Sequence, residues 1–395
     1  EEASLLRPFA RPLPFRVIAA IVRAMRTIQV VNVRFFNATA WYGLYLARLL
    51  RAAGHETLVI GLPGTESFGV AEDWGLSPLP LELNTNNPLR MAALLADIHS
   101  LVRGFRPDVV NCHRGESFLL WGLCKLATKS FRLVRTRGDQ RLPKANLPNR
   151  WLHRDVADAV VATNSRMARH FVQAMGLPGR KIWTILGGVD TAKFRFDATG
   201  RERVRAEFGY APGDRVIGIV GRFDHVKGQR ELIEAVGLLR REGVQDVRLL
   251  FVGFPTTVST DEVRGWCRAA GIEDIAAVTG PRQDVAACLA ALDVGVCASL
   301  FSETIARAPM ELMACGRPLL ATSVGVLPDL VPEQALCPPG DAPALAALLR
   351  TVLAEPWRLD EIREEEQRTI AQYSGRDFLT HTLSLYEGLM NGNGE

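Results

Sequence analysis

No apolar run in this 395-residue chain approaches the roughly 20 residues needed to cross a bilayer, so a spanning helix is not expected. The 7 cysteines show neither a Cys-x-x-Cys nor a Cys/His metal spacing. An odd, dispersed set predicts reduced thiols in a cytosolic protein. The basic stretches are not interleaved with aromatic residues, which excludes a base-stacking groove and makes nucleic acid the unexpected partner. Residues 5–26 mix Arg, Pro and apolar residues without a small-residue cleavage site, so a signal peptide is not expected. Two readings of that stretch stay open. Residues 1–25 are an extension upstream of a start at Met25, or a short basic amphipathic segment that rests on a membrane.

What is present is globular: 48% hydrophobic and 23% charged residues. The length exceeds one ordinary core, which predicts two domains. The net charge of +4 hides a split. Residues 1–190 carry 25 Lys and Arg against 14 acids, whereas residues 191–395 carry 22 against 29. The basic half points to an anionic surface or substrate, the plain alternative being a solvated face.

Read in order, the pattern alternates strand and helix. Ile28–Val33, His55–Gly61, Pro107–His113, Arg132–Arg137, Ala159–Thr163 and Lys181–Leu186 read as strands with helices between. A second series starts at Arg215–Gly221 and continues through Val247–Val252, Ile275–Thr279 and Val294–Ala298. Two such series predict an α/β protein of two doubly wound, Rossmann-like domains with a ligand cleft between them. The expected divisions are 26–190, a linker at 191–213, a second domain at 214–374, and a helix at 375–395 that packs back on the first domain.

Two stretches of the second series can carry chemistry. Gly221-Arg-Phe-Asp-His-Val-Lys-Gly228 ends a strand and opens a helix. Its glycines let backbone approach a phosphate, and Arg222 and Lys227 suit a diphosphate. It is neither a Walker loop nor Gly-x-Gly-x-x-Gly, and a βα turn with surface cations reads equally well. Residues 301–322 read as a loop holding Glu303, a short helix with Pro309 and Glu311 in its first turn, and a buried strand after Pro318.

Together these features resemble family 4 of the glycosyltransferases, the retaining GT-B type. Glu303-Thr-Ile-Ala-Arg-Ala-Pro-Met-Glu311 matches the family's E-x7-E pattern, and Gly221, Arg222, Lys227 and Gly228 match its Gly-Arg…Lys-Gly corner. Residues 157–165 and Leu186-Gly-Gly-Val-Asp190 are similar to its last N-domain strand and hinge. The resemblance implies transfer of a sugar from a UDP-, GDP- or ADP-linked donor, without metal or other cofactor. In that scheme Gly221, Arg222 and Lys227 hold the diphosphate. Glu303 binds sugar hydroxyls and Glu311 the ribose. The N–H groups of Thr304 and Ile305 meet a phosphate, and His113 contacts the sugar. The chain has no Asp-x-Asp, in line with a metal-free donor site. No carboxylate pair stands out in the glycosidase manner. A GT-B epimerase and a non-catalytic nucleotide-sugar binder are the alternatives. One departure is the loop Arg34–Gly43, where the family's Gly-Gly pair is missing.

The acceptor side is read from charge. From Lys125 to Arg154 nine Lys or Arg face one acid, Asp139. The expectation is an anionic acceptor, such as a phosphorylated lipopolysaccharide core or a lipid-linked sugar. A basic first domain then touches anionic lipid at the inner face of the cytoplasmic membrane.

Overall fold

The computed structural model describes residues 24–392, and residues 1–23, most of the expected N-terminal extension, lie outside the description. The described residues form two compact units, 24–187 with 375–392, and 188–374.

The first unit is a seven-stranded parallel sheet. Its strands are β1 (Arg26–Val31), β2 (Glu56–Gly61), β3 (Leu79–Pro80), β4 (Val109–Cys112), β5 (Arg132–Arg137), β6 (Ala159–Ala162) and β7 (Ile182–Thr184). The order is β3-β2-β1-β4-β5-β6-β7, so the direction of winding reverses between β1 and β4. The helices are α1 (Ala38–Ala52), α2 (Glu66–Asp73), α3 (Pro88–Phe105), α4 (Phe118–Thr128), α5 (Leu147–Trp151) and α6 (Ser165–Gln173). Asn side chains start four of them: Asn37, Asn87, Asn146 and Asn164 each accept a first-turn N–H. The strands are covered on both faces, which explains their near-continuous apolar runs. Ile28, Val30 and Val110 pack with Phe118, Trp121 and Ile98 in one layer, while Val31 and Val59 pack with Leu44 in another.

The second unit opens with α7 (Ala198–Glu207). It continues β8 (Arg215–Val220), α8 (Gln229–Arg241), β9 (Val247–Val252), α9 (Thr260–Ala270), β10 (Ala276–Val278), α10 (Val285–Ala291) and β11 (Val294–Cys297). Then come α11 (Arg307–Ala314), β12 (Leu319–Thr322), α12 (Leu327–Leu330), β13 (Leu336–Cys337), α13 (Ala342–Ala354) and α14 (Pro356–Ile370). The sheet runs β10-β9-β8-β11-β12-β13, all parallel, and reverses between β8 and β11.

The segment 191–213 is not the linker expected from its polarity. It carries α7, whose Arg201 and Arg205 turn inward to Asp293 at 2.6 and 3.1 Å. The two guanidiniums also bind the carbonyls that end α10, among them Ala290 and Ala291. These two arginines are internal clasps, so the segment is not a solvated tether. The last helix, α15 (Gly375–Met390), belongs to the first unit, where Phe378 and Tyr42 meet edge to face with centroids 4.6 Å apart.

Candidate active site

In open α/β sheets the ligand site lies at the carboxyl ends of the strands, where the strand order reverses. In the second unit that point is flanked by the loops after β8 and β11. Those two loops carry Arg222, Lys227 and Glu303.

The β8 loop is set by backbone. Gly221 has φ 142°, Asp224 caps the 3-10 turn 225–227 by accepting the Val226 N–H at 3.1 Å, and Gly228 takes φ 73° before α8 begins. A Cβ on Gly228 would stand 1.9 Å from the Ala298 carbonyl oxygen, so this turn lies directly on the end of β11. Lys227 is thereby brought to Glu303. Its Nζ donates to Glu303 Oε1, which also accepts from Ser299 Oγ at 3.2 Å. The Cys297 thiol points to the same oxygen at 3.8 Å. Glu303 itself is fixed from behind: the Val326 N–H donates to its carbonyl at 2.8 Å, and Gly325 packs on that carbonyl.

The electrostatics follow from this enclosure. Burial pulls the Lys227 ammonium down, but the Glu303 carboxylate outweighs it, and the pKa is held above its ordinary value. Burial pushes the Cys297 thiol up to about 12, with Glu303 adding to the effect, so it stays protonated. A cavity of about 20 Å³ beside the pair has room for one water and no more, so a larger ligand lies outside it. Arg222 stands apart. It is paired with Asp224 at 3.0 Å and is 45% exposed, and its carbonyl accepts from Gln229 Nε2 at 2.9 Å.

Glu311 is placed differently from expectation. The helix starts at Arg307, two residues before Pro309, and has no acid in its first turn. Pro309 fits anyway, because the first four N–H groups of a helix need no partner within it. Glu311 therefore lies one turn in, where its carboxylate accepts from Arg307 Nε at 2.7 Å. Its pKa is raised, because burial outweighs the opposing Arg307 and Lys193. The helix-dipole reading of Glu311 is corrected accordingly. Thr304 and Ile305 lie in the loop before α11, next to Ala306 in the left-handed region (φ 49°).

The sequence reading missed Ser299, Cys297, Arg307 and the Gly325 support. Of these only Arg307 carried a signal, its i,i+4 spacing to Glu311.

In the first unit His113 follows β4, again where the strand order reverses. Its N–H joins Val30 across the sheet at 3.0 Å. The ring is fully buried, its Nε2 on Gln29 Oε1 at 2.9 Å and its Nδ1 without a partner. Burial, with Arg135 close by, lowers its pKa to about 3, so it is neutral at physiological pH.

Arg135 corrects a further expectation. Counted by sequence among the nine basic residues from Lys125 to Arg154 on the acceptor side, it is wholly buried. Its guanidinium donates to the Cys112 carbonyl at 2.8 Å and pairs with Asp139. Arg137 and Arg114 also pair with Asp139. Asp139 thus holds Arg135 and Arg137 inside the fold, and Arg141 and Lys144 are the exposed cations of the loop. The missing Gly-Gly loop is replaced by a capped start, with Asn37 Oδ1 accepting from Thr39 and Ala40 N–H at 3.0 and 3.1 Å.

Two Rossmann-like sheets in this order define the GT-B fold. A glycosyltransferase from Rickettsia africae aligns with a TM-score of 0.82 at 18% identity, over 93% of this chain and 99% of that one. Anabaena HepE in complex with UDP aligns with a TM-score of 0.79 at 21% identity, over 93% and 100%. The chain carries a Glycosyltransferase Family 4 domain over residues 39–193 and a Glycosyl transferases group 1 domain over residues 214–355. A 2-deoxystreptamine glucosyltransferase of Streptomyces kanamyceticus is 30% identical over 220 residues, 54% of this chain and 56% of that protein. A D-inositol 3-phosphate glycosyltransferase of Pseudarthrobacter chlorophenolicus is 30% identical over 239 residues, 56% of each. The matches span about half the length of these relatives. Among the described residues no helix is long and apolar enough to cross a membrane, and no group of three or more His, Cys, Asp or Glu is arranged to hold a metal ion.

Proposed function

We propose that this protein is a retaining glycosyltransferase that takes a sugar from a nucleoside-diphosphate donor. The observation that carries the reading is the Lys227–Glu303 pair, built by Gly228 and Gly325 at the point where the second sheet reverses. A cation held above its ordinary pKa stays charged and can stabilise a departing diphosphate electrostatically. Arg222, on the same loop, adds a second cation once it leaves Asp224. Glu303 addresses the sugar hydroxyls, Glu311 the ribose, and the Thr304 and Ile305 N–H groups a phosphate oxygen. His113 is neutral and contacts the sugar through Nδ1 once the groups that bury it give way. The leaving phosphate assists deprotonation of the acceptor on the same face, which retains configuration and calls for no metal. A thermal-shift panel of UDP-, GDP- and ADP-sugars should raise the melting temperature with at least one of them. A shift with none would remove the donor-site assignment.

The acceptor is an anionic saccharide, polyol phosphate or lipid-linked saccharide of cell-envelope assembly, met at the inner membrane face. The exposed cations Arg141 and Lys144, beside exposed Leu142 and Leu147, support this, as does the inositol phosphate in a relative's name. Reversing both charges (Arg141→Glu, Lys144→Glu) should abolish flotation with anionic vesicles and lower transfer to a phosphorylated acceptor. Unchanged flotation and transfer would refute the anionic acceptor.

A further inference from the structure

A line of buried polar side chains crosses the first unit from β5 to His113. Thr136 Oγ1 donates to Asn111 Oδ1 at 2.9 Å. That leaves Asn111 to present its amide N–H to Tyr386 on α15, Nδ2 to Oη at 3.0 Å. Gln29 Nε2 donates to the same Tyr386 oxygen at 3.3 Å. The other end of the Gln29 amide, Oε1, stands 2.9 Å from His113 Nε2. Every member is buried, and Tyr386 and His113 are fully so.

The orientations of the two amides give the line a direction. An amide has a donor end and an acceptor end, a phenol can donate and accept, and here the Tyr386 oxygen takes two donors, Asn111 Nδ2 and Gln29 Nε2. With the Gln29 nitrogen turned to Tyr386, its oxygen must face His113. A carbonyl oxygen can only accept, so the hydrogen sits on Nε2. Nδ1, the ring nitrogen without a partner, is then a bare acceptor. Because the ring is neutral at physiological pH, which nitrogen holds its single hydrogen decides what His113 can do.

We propose that Tyr386, on the helix that returns from the C-terminus to the first unit, is a positioning residue that sets the tautomer of His113 through Gln29. Removing the phenol oxygen leaves the Gln29 amide without its reason to point one way. A flipped Gln29 would donate to Nε2 and drive the hydrogen to Nδ1. A ring nitrogen able to accept a hydroxyl hydrogen would become a donor. This last consequence rests on the sugar-contacting role of His113; the tautomer claim does not.

The test is nitrogen-15 NMR of the histidine ring in the full chain, with His113 assigned by substitution. The unmodified protein should show His113 with its hydrogen on Nε2. Tyr386→Phe should populate both tautomers. Thr382→Val is the control: Thr382 lies one turn earlier on α15, is buried, and spends its hydroxyl on the Phe378 carbonyl at 2.9 Å, off the line. It should keep the unmodified pattern although it too loses a buried hydroxyl. The proposal is overturned by a hydrogen on Nδ1 in the unmodified protein. It is equally overturned if Tyr386→Phe changes nothing or Thr382→Val changes as much. In a transfer assay Tyr386→Phe should lower kcat with the donor KM within about twofold. Failure to find any transfer would count against the proposed function and leave the NMR outcome to decide this inference.

Discussion

Lys227→Ala should reduce sugar transfer by about 100- to 1,000-fold, the scale seen when one preorganised electrostatic group is removed from a transition-state site. The loss should appear in kcat and in donor affinity together, because the ammonium meets the diphosphate both before and as it departs. Stability should fall as well. Lys227 is the cationic partner of a Glu303 side chain that is 9% exposed, and breaking such a pair leaves a carboxylate buried without its counter-charge. Because the lysine side is 24% exposed, the cost should be below that of a fully enclosed pair, at about 1–3 kcal/mol. Glu303→Gln in the Lys227→Ala background should recover part of that stability and none of the activity. Recovery of activity would mean that Lys227 serves only to neutralise Glu303.

Gly228→Ala should be the most damaging change that touches no functional side chain. Two effects add. The left-handed φ of 73° costs an L residue about 1–2 kcal/mol. The new Cβ would also stand 1.9 Å from the Ala298 carbonyl oxygen, and a Cβ has no rotatable bond by which to avoid that backbone atom. The turn must move off the end of β11, which carries Lys227 away from Glu303. A total of about 3–5 kcal/mol is expected, with loss of donor binding. Gly316→Ala separates the two effects. Gly316 has nearly the same φ, 70°, but no atom within 4 Å of the position of its Cβ, so it should show the strain alone. Denaturant midpoints of the two variants measure the difference. Equal midpoints would mean that the contact with Ala298 relaxes freely and does not build the site.

The corner at Gly221–Gly228 was legible in sequence because its glycines answer a backbone requirement, which any reader of the chain can see. The pairing of Lys227 with Glu303 was not. The partners are 76 positions apart and meet only because β11 pairs with β8 in parallel register. Charged residues misled wherever they were turned inward. Arg135, Arg201 and Arg205 look like surface cations in the string. In the fold they satisfy carbonyls and lone acids at strand and helix ends, a role set by tertiary contacts and not by local pattern. The same blindness hid α14, a 15-residue helix whose buried residues are only Ile362, Glu366 and Ile370. A helix that is polar almost all round carries little periodic signal. Glu311 was read into the first turn of α11 beside Pro309, but proline is tolerated beyond the first helical position, so the helix starts at Arg307 and Glu311 falls after that turn.

The central claim is that Lys227 and Glu303 form half of a nucleotide-sugar site. Isothermal titration of the full chain with UDP, GDP and ADP tests it most directly, beside the same titrations of Lys227→Ala. The account predicts saturable binding of at least one diphosphate to the unmodified protein and its loss in the variant. Binding that survives Lys227→Ala unchanged, or no binding of any of the three, would contradict it.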